Sequence, residues 1–167
     1  MSHLGLTIAG YESAGAATAD FRELVAAVKG AAVEIEAAVA VAAAPDHQLA
    51  VRETVDATGT TGSDLLGAVG VVVGLMSPGA LAIDAPGASL NGVTNEFVDL
   101  RFKYALYDVI AAAVSPRSAG IGVVADREAA PRIKRVLSRS RTRSIVQMGA
   151  AELAFLERRL ADARASV

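Results

Sequence analysis

Nineteen consecutive residues near the middle of the chain, Leu65 to Ile83, carry no charged side chain, and Asp64 and Asp84 close the run at both ends. It is the most hydrophobic segment present, with glycines at Gly67, Gly70, Gly74 and Gly79. Any fold for this chain must bury the run, set it between subunits or lay it against lipid. A helix capped by Ser63 or Asp64 and ending near Met76 would be roughly 20 Å long, against about 30 Å of bilayer hydrocarbon. Pro78 then bends or stops it. Gly70 and Gly74 form a GxxxG pair with Gly67 one turn earlier, and such spacing lets backbones approach closely. The contact surface expected of the segment is Gly67, Gly70, Gly74, Leu75 and Met76. Contact with other subunits is the first expectation, membrane contact the second and ordinary burial the third.

The flanks carry ordinary α/β patterning. Leu4, Leu6 and Ile8 alternate as in a strand. Ser13 is placed to cap a helix whose apolar stripe is Phe21, Leu24, Val25 and Val28, with Asp20, Arg22, Glu23 and Lys29 largely off it and Gly30 at its end. Val33, Ile35, Ala37, Val39 and Val41 alternate, with Glu34 and Glu36 on a wet face. Ala44 to His47 supplies turn chemistry, and Leu49, Val51 and Val55 share one side of a returning strand, giving a β-hairpin. Residues Ala85 to Asn95 read as a polar loop. Phe97 to Val114 reads as a helix covered on two sides, and Ala119 to Ala125 as a buried central strand. Asp126 opens a helix with Pro131 in its first turn. Ser144 to Met148 reads as a short strand, followed by a helix carrying Leu153, Leu156 and Leu160.

This order predicts an α+β fold. Its body is a ferredoxin-like βαββαβ core, made of the first four elements, the helix at Phe97 and the strand at Ala119. A Gly-rich apolar helical segment is inserted in it, and a strand-helix extension follows. A single domain over 1–167 is expected, with the apolar insert and polar loop at 63–96 and a basic half at 97–167.

At this point the chain resembles the predicted membrane proteins of domain-of-unknown-function family 1269. The similar residues are the opening strand with Tyr11-Glu12-Ser13, the run Val33-Glu34-Ile35-Glu36, and the hairpin end Thr54-Val55. Gly67 to Ala80 and Ser118 to Val124 followed by Ala130-Pro131-Arg132 complete them. A second glycine-rich apolar segment belongs to that pattern, and here its place is taken by the polar Ala85 to Asn95. The resemblance implies the fold and a membrane association, and no reaction.

Charge is divided along the chain. Residues 1–100 carry twelve acids and three bases, and residues 101–167 six acids and thirteen bases. Arg132, Lys134, Arg135, Arg139, Arg141 and Arg143 fall in a stretch without acids. Arg132, Arg135, Arg139 and Arg143 are the residues expected to meet an anionic surface. The plainer reading is that the basic half folds against the acidic half and is neutralised by it. No aromatic residue interleaves with the bases, so nucleic acid is not expected as a partner.

The absence of cysteine excludes disulfides, thiolate metal sites and a cysteine nucleophile. His3 and His47 have no second ligand at metal spacing, and no serine sits in GxSxG. The glycines match no phosphate-binding spacing. No catalytic, cofactor or metal residue is assigned. The N-terminus lacks a basic region followed by a long apolar run, so a cytoplasmic, membrane-associated protein is expected rather than a secreted one. The function these readings favour is a non-enzymatic homo-oligomeric or scaffold protein that uses the Gly-rich segment for subunit or peripheral membrane contact. The alternative is a small-ligand-binding or regulatory domain.

Overall fold

The structure is a computed structural model, and it describes residues 4–43, 49–62, 82–83, 119–146, 154, 157–158 and 160–162. Strand β1 is Leu4–Tyr11, helix α1 Ala14–Lys29, β2 Ala37–Ala43, β3 Leu49–Asp56, β4 Ala82–Ile83 and β5 Ala119–Asp126. A 3-10 turn, Arg127–Ala129, leads into helix α2, Ala130–Val136, and β6 is Thr142–Val146. The expected helix at Phe97 to Val114, the turn at Ala44 to His47 and the loop at Ala85 to Asn95 lie outside the described residues.

The sheet order is β4-β3-β2-β5-β1-β6. Five strands are antiparallel neighbours, and the two-residue β4 adds in parallel to β3. β1 and β2 therefore run parallel with β5 between them, and β5 and β6 run parallel with β1 between them. The fold is α+β. Two sequence expectations change here. β3 lies outside β2, away from β1, and β6, expected as an extension, is one of β1's two neighbours.

The local chemistry explains the elements. Ser13 is extended, and its hydroxyl accepts from the Ala16 amide at 3.1 Å, satisfying one of the free donors at the start of α1. The alanine-rich body of α1 suits a helix. Gly30 ends the helix as expected, but the left-handed residue that follows is not a glycine. Gly30 is the C-cap with φ −82°, and the left-handed conformation falls on Ala31 at φ +58°. An alanine held there costs about 1 kcal/mol or more. The turn after β3 is built on Asp56, whose Oδ1 accepts from the Thr58 amide at 2.9 Å, the Thr58 hydroxyl at 2.6 Å and the Thr60 amide at 3.0 Å. Gly59 sits in this turn at φ +86°, where an added Cβ would lie 2.5 Å from Lys29 Cγ. The turn thus rests on the end of α1, and only glycine allows it.

Both helices pack on one face of the sheet. The core there combines Phe21, Leu24 and Val28 of α1, Ile133 of α2 and Leu137 with Ala9, Tyr11, Ala38, Ala40, Ala42, Ala119, Ile121, Val123 and Val55. Six of these strand residues form two rows: Ile121 is paired with Ala9 on one side and Ala40 on the other, and Ala119 with Tyr11 and Ala42. Small neighbours let the helices sit close to the backbone. The other face is buried as well, through Leu6, Ile8, Val39, Val41, Val51 and Val124. The wet face expected along the second strand is confined to its approach, where Glu34 is exposed before β2 begins. A β-bulge between Ala40 and Val41 explains another difference. It pairs Val55 with Ala38 but Val51 with Val41, so Val51 and Val55 lie on opposite faces rather than sharing one.

Leu160, in the C-terminal helical residues, is buried. Among the described residues no helix is long and apolar enough to cross a membrane.

Candidate functional site

The most organised polar cluster in the described residues is centred on Asp20. The α1 stripe carries Asp20 inward beside Phe21 and Leu24, and the residue is 0% exposed. A carboxylate in that position needs several donors to replace water. Three are present. The Tyr11 hydroxyl donates to Oδ2 at 2.8 Å, the Arg139 amide donates to Oδ2 at 2.9 Å, and Arg139 Nη1 donates to Oδ1 at 2.7 Å. Arg139 Nη1 also lies 3.1 Å from Glu23 Oε1. β1, α1 and the connection from α2 to β6 are thereby tied at one point.

Sequence reasoning missed this cluster by reading Asp20 as off the apolar stripe. The signal was present: Ala17, Asp20, Phe21, Leu24 and Val28 follow helical spacing, and all five are buried. An acid on such a stripe calls for a base elsewhere in the chain.

Burial pushes the Tyr11 phenol well above its ordinary value, helped by its hydrogen bond to Asp20 and the carboxylate's charge, while Arg143 and Arg139 pull it down by less. The Arg139 guanidinium is held above its usual range by its hydrogen bonds to Asp20 and then Glu23. A raised phenol keeps its proton in the folded state after the unfolded chain has released its own. Above about pH 10 the unfolded state binds fewer protons, so stability falls as pH rises. Between about pH 10 and pH 12 wild type is expected to lose stability more steeply than Tyr11→Phe. Urea unfolding across that range checks it, and parallel pH profiles would refute it.

The basic stretch divides into distinct groups. Arg139 is committed to Asp20 and Glu23, and Arg141 Nη1 pairs with Glu12 Oε1 at 2.8 Å. The neutralisation of one half by the other is therefore real at these two positions. Arg143 Nη1 donates to the Lys134 carbonyl at 3.0 Å, which draws β6 against the end of α2. Arg135 is exposed, with Nε 3.4 Å from the Pro131 carbonyl. Arg132 lines a cavity of about 420 Å³ between the α1–β2 connection, Ala31 to Glu34, and the β5–α2 junction at Asp126 and Glu128. Of the four arginines expected to act together, Arg139 faces inward commitments and the other three remain on the surface. Arg127 is a further exposed base that the sequence reading left out; its stem crosses β1 over Gly5, beside Ile145.

Gly67, Gly70, Gly74, Leu75 and Met76 lie outside the described residues, as do His3 and His47. Only the last two residues of the uncharged run are described. The helix expected to end near Met76 lies outside the described residues, and beyond Pro78 Ala82 and Ile83 are strand, paired with Ala50 and Val51. Among the described residues no group of three or more His, Asp or Glu side chains is arranged to hold a metal ion. No protein-family model, curated protein or solved structure matches the chain.

Proposed function

We propose that this chain is a non-enzymatic homo-oligomeric or scaffold protein, and that its uncharged Gly-rich run makes the subunit contact or a peripheral contact with a membrane. The observation that carries the reading is the parallel pairing of β4 with β3. The run follows β3 in the chain, and its last two residues pair with that same strand. A segment that comes back to its own sheet is poorly suited to crossing a bilayer alone, and well suited to a surface presented by the folded body. The polar cluster around Asp20 is used in joining elements of the fold, which further favours a structural role over catalysis.

The order β6-β1-β5-β2, with α1 and α2 each joining two strands across a third, supports a ferredoxin-like body. In that assignment the third and fourth core strands are β5 and β6, and β3, β4 and the uncharged run are inserted between β2 and β5. The resemblance to domain-of-unknown-function family 1269 points the same way. A ligand-binding regulatory domain is the second reading. It is favoured by the cavity beside Arg132, and a small molecule retained in native mass spectra would advance it.

The test of the leading reading is Gly70→Leu with Gly74→Leu. Added side chains on a close-packed glycine face force backbones apart. Light scattering is expected to show the wild-type assembly reduced to smaller species. An unchanged mass and melting temperature would remove these glycines from the interface.

A further inference from the structure

We infer that α2 and the 3-10 turn before it form a charge-matched contact with the same helix of a second copy of this chain, running antiparallel to it across a two-fold axis. The inference rests on the homo-oligomer reading and names a second element of that assembly.

The motivation is the arrangement of charge along one exposed stripe. Glu128, Arg132 and Arg135 are all exposed and follow helical spacing. Acid stands at the beginning of the stripe, with Asp126 and Glu34 beside it around the cavity, and base stands at its end, with Lys134 adjoining. Among the described residues none of Glu34, Asp126, Glu128, Arg132, Lys134 and Arg135 has an opposite charge within ion-pairing distance. Of the neighbouring charges, Glu12 holds Arg141, and Asp20 and Glu23 hold Arg139, while Arg127 and Arg143 are further exposed bases with no ion pair among the described residues. The fold leaves Glu34, Asp126 and Glu128, with Arg127 among them, at one end of the stripe and Arg132, Lys134 and Arg135 toward the other.

That layout is self-complementary. A two-fold contact joins the same patch on both copies, so an acid at one end meets the base at the other end twice. Glu128 and Arg135 are seven residues apart, about 10 Å along the axis. Turning a second copy end for end about the stripe's midpoint sets each Glu128 opposite the other copy's Arg135. The two Arg132 groups then meet near the centre, within the field of the Glu34, Asp126 and Glu128 carboxylates. Two helices this short bury too little area for a stable dimer on their own. Charge matching of this kind fixes orientation and speeds encounter, and the area is left to the rest of the subunit contact proposed above.

The experiment is a charge swap read by sedimentation equilibrium and native mass spectrometry. Glu128→Lys and Arg135→Glu alter exposed positions, and circular dichroism checks that both variants fold. Each variant alone is expected to associate about tenfold more weakly than wild type, because each breaks two equivalent exposed pairs. Mixing the two restores complementarity at both contacts, so mixed dimers should exceed the statistical share, with one variant isotopically labelled. The preference should vanish near 1 M salt, where the screening length is about 3 Å.

If both variants assemble like wild type, or mix without preference, the inference fails while the homo-oligomer reading stands. A wild type that is monomeric at all salt concentrations removes both. Phosphatidylserine vesicles provide the remaining arm. Binding that depends on Arg135, with self-association unmoved by Glu128→Lys, would make the basic end a lipid contact and overturn the inference.

Discussion

Replacing Asp20 with alanine is expected to cost about 2–4 kcal/mol of folding stability, from two donors left without their acceptor in the interior. The size follows from what is left behind. Asp20 is 0% exposed and accepts three hydrogen bonds. Without it the Tyr11 hydroxyl, itself on a residue only 2% exposed, loses its acceptor, and the Arg139 amide does too. The Arg139 side chain is 46% exposed and turns to water, so its part of the loss is small. Asp20→Asn should cost less, since its carbonyl still accepts while its amide opposes a guanidinium. A double-mutant cycle separates the terms. Once Asp20 is alanine, Tyr11→Phe has little more to remove, so the two changes should be strongly non-additive. Denaturant melts check this. A cost for Asp20→Ala below about 1 kcal/mol, or simple additivity, would show that the cluster does not hold the elements together.

Local features of this fold were legible in the sequence because their causes are local. Ser13 caps α1 because a hydroxyl at that position reaches an amide three residues on, and the Phe21, Leu24, Val28 stripe faces inward because helical spacing places it there. The apolar run from Ala119 is central because strands covered on both faces have no polar positions to spare. What was not legible depends on partners far along the chain. Sheet order is one case: nothing within Thr142–Val146 announces that it borders β1 rather than extending from the end of the fold. The bulge at Ala40 and Val41 is another, since one extra residue reverses every side chain beyond it without leaving a composition signal. Reading Val51 and Val55 as one face followed an alternation that the bulge interrupts.

The basic stretch shows the same limit in charge. Six bases without an acid between them read as one patch in the sequence. In the fold Arg139 and Arg141 are claimed by Asp20, Glu23 and Glu12, residues more than a hundred positions away, and only the remainder is available to a partner. Asp20 could be suspected from its spacing, but which of sixteen basic residues answers it could not.

The second large effect is expected at Phe21. Phe21→Ala should cost about 4–5 kcal/mol, at the upper end of the range for such truncations, with a fall in melting temperature of roughly 10 °C or more. The residue is 1% exposed and lies in the core between α1 and the sheet. Two features oppose relaxation into the space it leaves. The sheet beneath the helices presents Ala9, Ala38, Ala40, Ala42 and Ala119, side chains with no reach to fill a hole. β5 is hydrogen-bonded on both sides, to β1 and β2, so the sheet cannot bend upward. The helix is restrained as well, by Ser13 at its start and Asp20 within it. A cavity that stays open costs more than the lost transfer of the ring alone. Phe21→Leu, which keeps most of the volume, should cost about 1–2 kcal/mol. Urea unfolding of both variants checks the pair. A loss below about 2 kcal/mol for Phe21→Ala would mean that α1 settles onto the alanine face, and that the close approach of helix and sheet is adaptable rather than fixed.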